Sequence, residues 1–126
     1  MSIDIYKEVI LDHYKSPRNF GTFETSPNKA NVANPLCGDS ITMELRIEGD
    51  SIEDIRFNGE GCAIAIASAS LLTEYAKNKK LSDLTILTKD SMLDLLSVEL
   101  SPNRLKCALV SLEALQRAIK TYGSNT

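Results

Sequence analysis

No Cys-x-x-Cys pair occurs in this chain, and its single histidine, His13, is remote in sequence from every cysteine. Those absences argue against a dithiol redox enzyme and against a cysteine nucleophile served by a neighbouring imidazole. Basic charge is scarce as well: 14 Lys and Arg stand against 17 Asp and Glu, a net charge of −3. Without a basic surplus there is no electrostatic footprint for nucleic acid and no polybasic patch for anionic lipid. No stretch approaches the roughly 18 consecutive apolar residues of a spanning helix. The start, Met1-Ser2-Ile3-Asp4-Ile5-Tyr6-Lys7-Glu8, lacks the basic segment and apolar run of a signal peptide. The expectation is a soluble, cytoplasmic protein with neither membrane nor nucleic acid as a partner. Three cysteines cannot form a complete disulfide framework, which leaves metal ligand, reactive thiol or core residue as their readings. Repeats, low-complexity tracts and long linkers are missing too. A chain of 126 residues with 43% apolar content is therefore expected to form one domain, residues 1–126.

What is present reads as alternating signals of helix and strand. Tyr6, Val9, Ile10, His13 and Tyr14 fall at helical spacing, with Pro17 and Gly21 beyond them, so a helix is predicted over residues 3–15. Residues 16–34 have loop composition, with a short edge strand at Lys29 to Val32. Asn34-Pro35-Leu36-Cys37-Gly38-Asp39 is a compact turn that fixes Cys37 and Asp39 in place. Ile41, Met43, Leu45 and Ile47 alternate with polar residues, Gly49-Asp50 reads as a turn, and Ser51 to Asn58 alternates again. That pattern predicts an antiparallel hairpin with one apolar face. Gly59-Glu60-Gly61-Cys62 then passes into an Ala- and Ser-rich helix running to about Lys77, its small residues suited to close packing against a sheet. A short helical turn near Ser82 and a helix from Lys89 to Ser97 follow, and Ser101-Pro102-Asn103 is read as a break. In the last helix Leu105, Leu109, Leu112, Leu115, Ile119 and Tyr122 form one stripe, Cys107 lies in the first turn and Gly123 ends it. The predicted class is α+β, a small antiparallel sheet of about three strands with helices packed on one face.

Taken singly, each cysteine reads as a small buried hydrophobe. Their contexts point elsewhere, because Cys37 and Cys62 adjoin glycines in polar turns and Asp39 stands two residues from Cys37. Cys62 sits where a strand becomes a helix, beside unpaired amides and a partial positive charge that favour a thiolate over a thiol. Three thiolates and a carboxylate make a four-coordinate set for zinc, or a mostly thiolate cradle for iron and sulfide. Asp39 also has a reading as a turn-capping residue. His13, inside the first helix, is assigned a structural or surface role. Lys106, beside Cys107, reads as a solvated charge or as an ammonium lowering a thiolate pKa.

Four stretches together carry a family resemblance. They are Tyr6 with Ile10-Leu11-Asp12-His13-Tyr14 and Pro17-Arg18-Asn19; Asn34 to Asp39; Gly59 to Cys62 with Ala67-Ser68-Ala69-Ser70; and Pro102, Arg104 and Lys106-Cys107-Ala108. The chain resembles the scaffold proteins of iron–sulfur cluster assembly, the IscU, SufU and NifU amino-terminal group, over essentially its whole length. The resemblance implies a protein that accepts persulfide sulfur from a cysteine desulfurase at Cys37, Cys62 or Cys107. It implies zinc or iron bound by Cys37, Asp39, Cys62 and Cys107, a transient cluster of the [2Fe-2S] type, and downstream apo iron–sulfur proteins as recipients.

Lys106 stands where IscU-type members have histidine, as in the SufU type, yet the longer SufU insertion between the second and third cysteines is missing. Leu100-Ser101-Pro102-Asn103-Arg104 departs from the proline-rich chaperone-recognition motif of IscU-type members, which counts against docking of a dedicated Hsp70-type chaperone. The expected role is a scaffold and sulfur acceptor rather than an enzyme. Two rival expectations are a zinc-dependent sulfurtransferase of SufU type and a structural zinc domain that only binds partners.

Overall fold

The hairpin predicted from alternating residues is the centre of the molecule. In the structure, a computed structural model that describes residues 2–25, 28–35 and 38–124, strand β2 (Asp39–Glu48) pairs antiparallel with β3 (Ser51–Glu60) across Gly49-Asp50. Strand β1 (Asn28–Asn34) pairs with the other side of β2, so the sheet order is β1-β2-β3. Simple alternation fails in β3, where Ile52 and Ile55 are three apart. The register absorbs this: Arg46 faces Asp54 and Ile47 faces Ile52, leaving Glu53 as the extra residue of a bulge. Ile52, Ile55 and Phe57 consequently share the buried face with Ile41, Met43 and Leu45.

Among the described residues five helices join the sheet: α1 (Ser2–Lys15), α2 (Ala63–Ala76), α3 (Leu81–Thr85), α4 (Lys89–Leu96) and α5 (Pro102–Ser124). The core joins the apolar sheet face to Ile66, Ala69, Leu72 and Ala76 of α2 and to Val110, Leu112, Leu115 and Ile119 of α5. A second cluster joins Ile10 of α1 to Ile64, Ala65 and Ala67 of α2, with Leu96, Cys107 and Ala108. Buried Ala65, Ala67, Ser68, Ala69 and Ser70 occupy successive faces of α2, so small side chains let α1, α5 and the sheet approach this one helix together. Among the described residues no helix is long and apolar enough to cross a membrane.

Residues 19–23, read from composition as plain loop, form a strap over β3. The Phe57 N–H donates to Asn19 O at 2.9 Å, and the Gly21 N–H donates to Phe57 O at 2.8 Å. Farther along, the Ile52 N–H donates to Lys79 O and the Asn78 N–H to Ile52 O, both at 2.9 Å, so this edge is covered at two places. The strap also buries Glu44, a polar position of the alternating pattern, whose carboxylate accepts the Phe23 amide hydrogen and the Asn58 side-chain amide.

The last helix corrects two expectations. Ser101-Pro102-Asn103 starts α5 rather than breaking the chain: Pro102 needs no N–H at the first helical position, and Ser101 accepts the amide hydrogens of Leu105 and Arg104. Cys107 therefore lies in the second turn, not the first, and the helix runs one residue past Gly123.

Candidate metal centre

The site is built where one end of the hairpin meets the start of α2. Asp39 opens β2, facing Asn34 across the ladder. Cys62 is the N-cap of α2 in extended conformation, and its C=O accepts the Ile66 amide hydrogen at 3.1 Å. Oδ1 of Asp39 accepts the Cys62 N–H at 3.0 Å, tying strand start to helix start. The glycines around Cys62 exist for this close approach. Gly59 has φ +143°, and a Cβ there would lie 2.0 Å from Ser40 O. A Cβ on Gly61 would lie 2.7 Å from Asp39 Oδ1.

Cys107 enters from α5, and the ligand atoms of Asp39, Cys62 and Cys107 all lie within 4.8 Å of one another. Thiolates on a tetrahedral zinc, with Zn–S of about 2.3 Å, stand roughly 3.8 Å apart, so a movement of about 1 Å closes the set on an ion. Asp39 is 1% exposed, and its Oδ2 is buried with no hydrogen-bond partner among the described residues. A buried carboxylate oxygen left without a donor costs about 1–3 kcal/mol or more. An ion held with the two sulfurs removes that cost, so the donor set fits zinc or iron. Cys107 is buried and Cys62 exposed, leaving the site open on the Cys62 side. That side faces a cleft of about 340 Å³ lined by Cys62, Ala63, Ile64, Asn103, Arg104 and Cys107.

Three of the four residues expected to act together are thus brought together. Cys37, the fourth, lies outside the described residues. His13 is buried away from this cluster, its Nδ1 2.7 Å from Ser70 Oγ and its Nε2 3.6 Å from Glu74; Ser70 also accepts the Arg18 amide hydrogen. Burial, reinforced by the Arg18 charge, holds the His13 pKa below its ordinary value, against the opposing pull of Glu74 and Asp12. It locks the segment around Arg18 and α1 onto α2.

Lys106 is exposed and lines a different cleft, with Asn34, Pro35, Leu109 and Glu113. The cation that shares a cleft with Cys62 and Cys107 is Arg104, which sequence reasoning quoted in a motif but gave no role. Its signal was spacing: positions i and i+3 share a helix face, whereas i and i+1 diverge.

The same arrangement of sheet and helices occurs in the amino-terminal domain of a nitrogen-fixing NifU-like protein from Brucella abortus, with TM-score 0.81 over 98% of this chain and 97% of that one, at 18% identity. Residues 5–126 match the NifU-like N terminal domain. This chain belongs to that family. The NifU-like chain is 37% identical to the zinc-dependent sulfurtransferase SufU of Bacillus subtilis, over 96% of this chain and 94% of the relative. It is 35% identical to the iron–sulfur cluster assembly scaffold protein IscU of Escherichia coli, over 94% of each chain. The SufU alignment spans 139 positions, more than this chain has residues, so the Bacillus protein carries residues with no counterpart in the NifU-like chain.

Proposed function

We propose that this NifU-like chain is an iron–sulfur cluster assembly scaffold that accepts persulfide sulfur from a cysteine desulfurase and passes a transient cluster to apo iron–sulfur proteins. The observation that carries the reading is the convergence of Asp39, Cys62 and Cys107, with Asp39 Oδ2 buried and unpartnered among the described residues. Cys37, two residues before Asp39, is the proposed fourth ligand. When bound, zinc or iron supplies the charge that keeps the cysteines as thiolates. Asp39 uses Oδ1 to anchor the Cys62 amide and keeps Oδ2 for the ion, while Cys62 stays accessible through the open cleft. As cargo, a [2Fe-2S] cluster suits a mostly thiolate set at an open site.

Anaerobic incubation with iron, cysteine and a cysteine desulfurase is expected to generate sulfur-to-iron absorption that Cys62→Ala removes. Absence of any cluster in the unsubstituted protein would overturn the scaffold reading.

A second reading, zinc-dependent sulfur transfer, is favoured by the carboxylate in the ligand set and by the similarity to SufU. It predicts stoichiometric zinc in protein purified without added metal, and faster desulfurase turnover that disappears when zinc is stripped.

A further inference from the structure

The cleft at Cys62 and Cys107 does not end at the sulfurs. It shares Ala63, Ile64 and Arg104 with a second groove of about 310 Å³ that runs between α1 and the α4–α5 connection. Ile10, Leu11, Val98 and Leu100 give this groove an apolar lining, and Leu11 is 47% exposed. Among the described residues its charged lining is Lys7, Glu99 and Arg104, two cations against one carboxylate on a chain that is net acidic. Arg104 stands at the junction, three residues before Cys107 on α5, and its guanidinium makes no ion pair among the described residues. Hydrosulfide alone has no use for an apolar groove; a protein segment carrying a persulfide has use for both the groove and the cation.

We propose that the persulfide-bearing segment of the sulfur donor seats in this groove, and that Arg104 receives its anionic terminal sulfur. This rests on the sulfur-accepting reading above. In the transfer, a site thiolate attacks the terminal sulfur of the donor persulfide. A new S–S bond forms on the acceptor cysteine, the donor S–S bond breaks, and the donor cysteine departs as a thiolate with the electron pair. The persulfide's charge or proton travels with the transferred sulfur, so no oxidant or reductant is needed. A thiolate approaching an anionic sulfur meets like-charge repulsion, which a guanidinium in the cleft offsets.

The test uses the zinc-loaded 126-residue chain and two donors, a cysteine desulfurase charged with cysteine and inorganic polysulfide, with intact-mass measurement of sulfur gained. Leu11→Glu is expected to raise the half-saturating desulfurase concentration about tenfold, the loss of roughly one buried apolar contact, with uptake from polysulfide unchanged. Lys7→Glu, at the groove rim, gives the same readout should Leu11→Glu unsettle the helix. Arg104→Ala is expected to slow uptake from both donors, and Arg104→Lys to restore part of it. Desulfurase transfer at the unsubstituted level in Leu11→Glu and Lys7→Glu would overturn the groove, and unchanged uptake in Arg104→Ala would overturn the role of the guanidinium. Failure of the unsubstituted chain to gain sulfur from either donor would instead overturn the sulfur-accepting reading, and the proposal with it.

Discussion

Asp39 accepts the Cys62 amide hydrogen through Oδ1 at 3.0 Å, while its Oδ2, equally buried, has no partner among the described residues. One carboxylate thus performs two separable tasks, closing the strand-to-helix junction and offering a ligand atom beside Cys62 and Cys107.

Asp39→Asn separates those tasks. The amide oxygen can still accept the Cys62 N–H, but an NH₂ group replaces the ligand oxygen. Stability in urea is expected to fall by no more than about 1 kcal/mol, whereas zinc affinity, measured by chelator competition, falls at least about tenfold. Asp39→Ala loses both tasks and is expected to be the less stable of the two.

The two glycines before Cys62 should respond differently to alanine. Gly61→Ala puts a methyl group 2.7 Å from Asp39 Oδ1 with no demand on a positive φ, so the expected effect is reduced zinc occupancy in a folded protein. Gly59→Ala meets the Ser40 carbonyl at 2.0 Å and requires φ +143°, and a loss of about 3 kcal/mol or more is expected. Thermal melts paired with metal analysis distinguish the two outcomes.

His13 sets a pH dependence of stability. Its folded pKa lies below the ordinary value of 6.5 because it is buried and close to Arg18. Below pH 6.5 the unfolded chain therefore takes up the proton more readily than the folded one. The contribution of neutral His13 is present above that pH and is lost as pH falls toward the lowered folded value. Urea unfolding between pH 7 and pH 5 is expected to show a steeper loss of stability in the unsubstituted protein than in His13→Gln.

Metal removal should leave the fold in place. The larger core cluster joins sheet, α2 and α5 through residues that include none of Asp39, Cys62 and Cys107. Chelation is expected to lower the melting temperature through lost binding energy while preserving the far-ultraviolet circular dichroism. Collapse of the secondary structure on chelation would favour a structural zinc domain.

Periodicity made most of the elements legible. The hairpin around Gly49-Asp50 and the stripe on α5 depend on local burial, which recurs every few residues and leaves its period in the chain, whereas of the α1 pattern Ile10 and His13 are buried and Val9 and Tyr14 are exposed. The strap at residues 19–23 was illegible because its stability comes from hydrogen bonds to Phe57 and Glu44, remote in sequence and unmarked by any local pattern. The β3 bulge left only a break in alternation between Ile52 and Ile55, which the register resolves.

The site divides in the same way. By itself the sequence offered the candidate ligands, Cys37, Asp39 and Cys62 in turn-like contexts and Cys107 in a helix, together with a chain without a basic surplus and motifs sufficient to mark the family. Only the tertiary structure decided that Asp39, Cys62 and Cys107 meet within 4.8 Å, because their separation along the chain is closed by β-sheet register and by the packing of α5. It also decided which cation shares their cleft. Lys106 is adjacent to Cys107 in sequence, but a helix turns about 100° per residue, so Arg104, nearly one full turn earlier, shares the cleft of the two sulfurs.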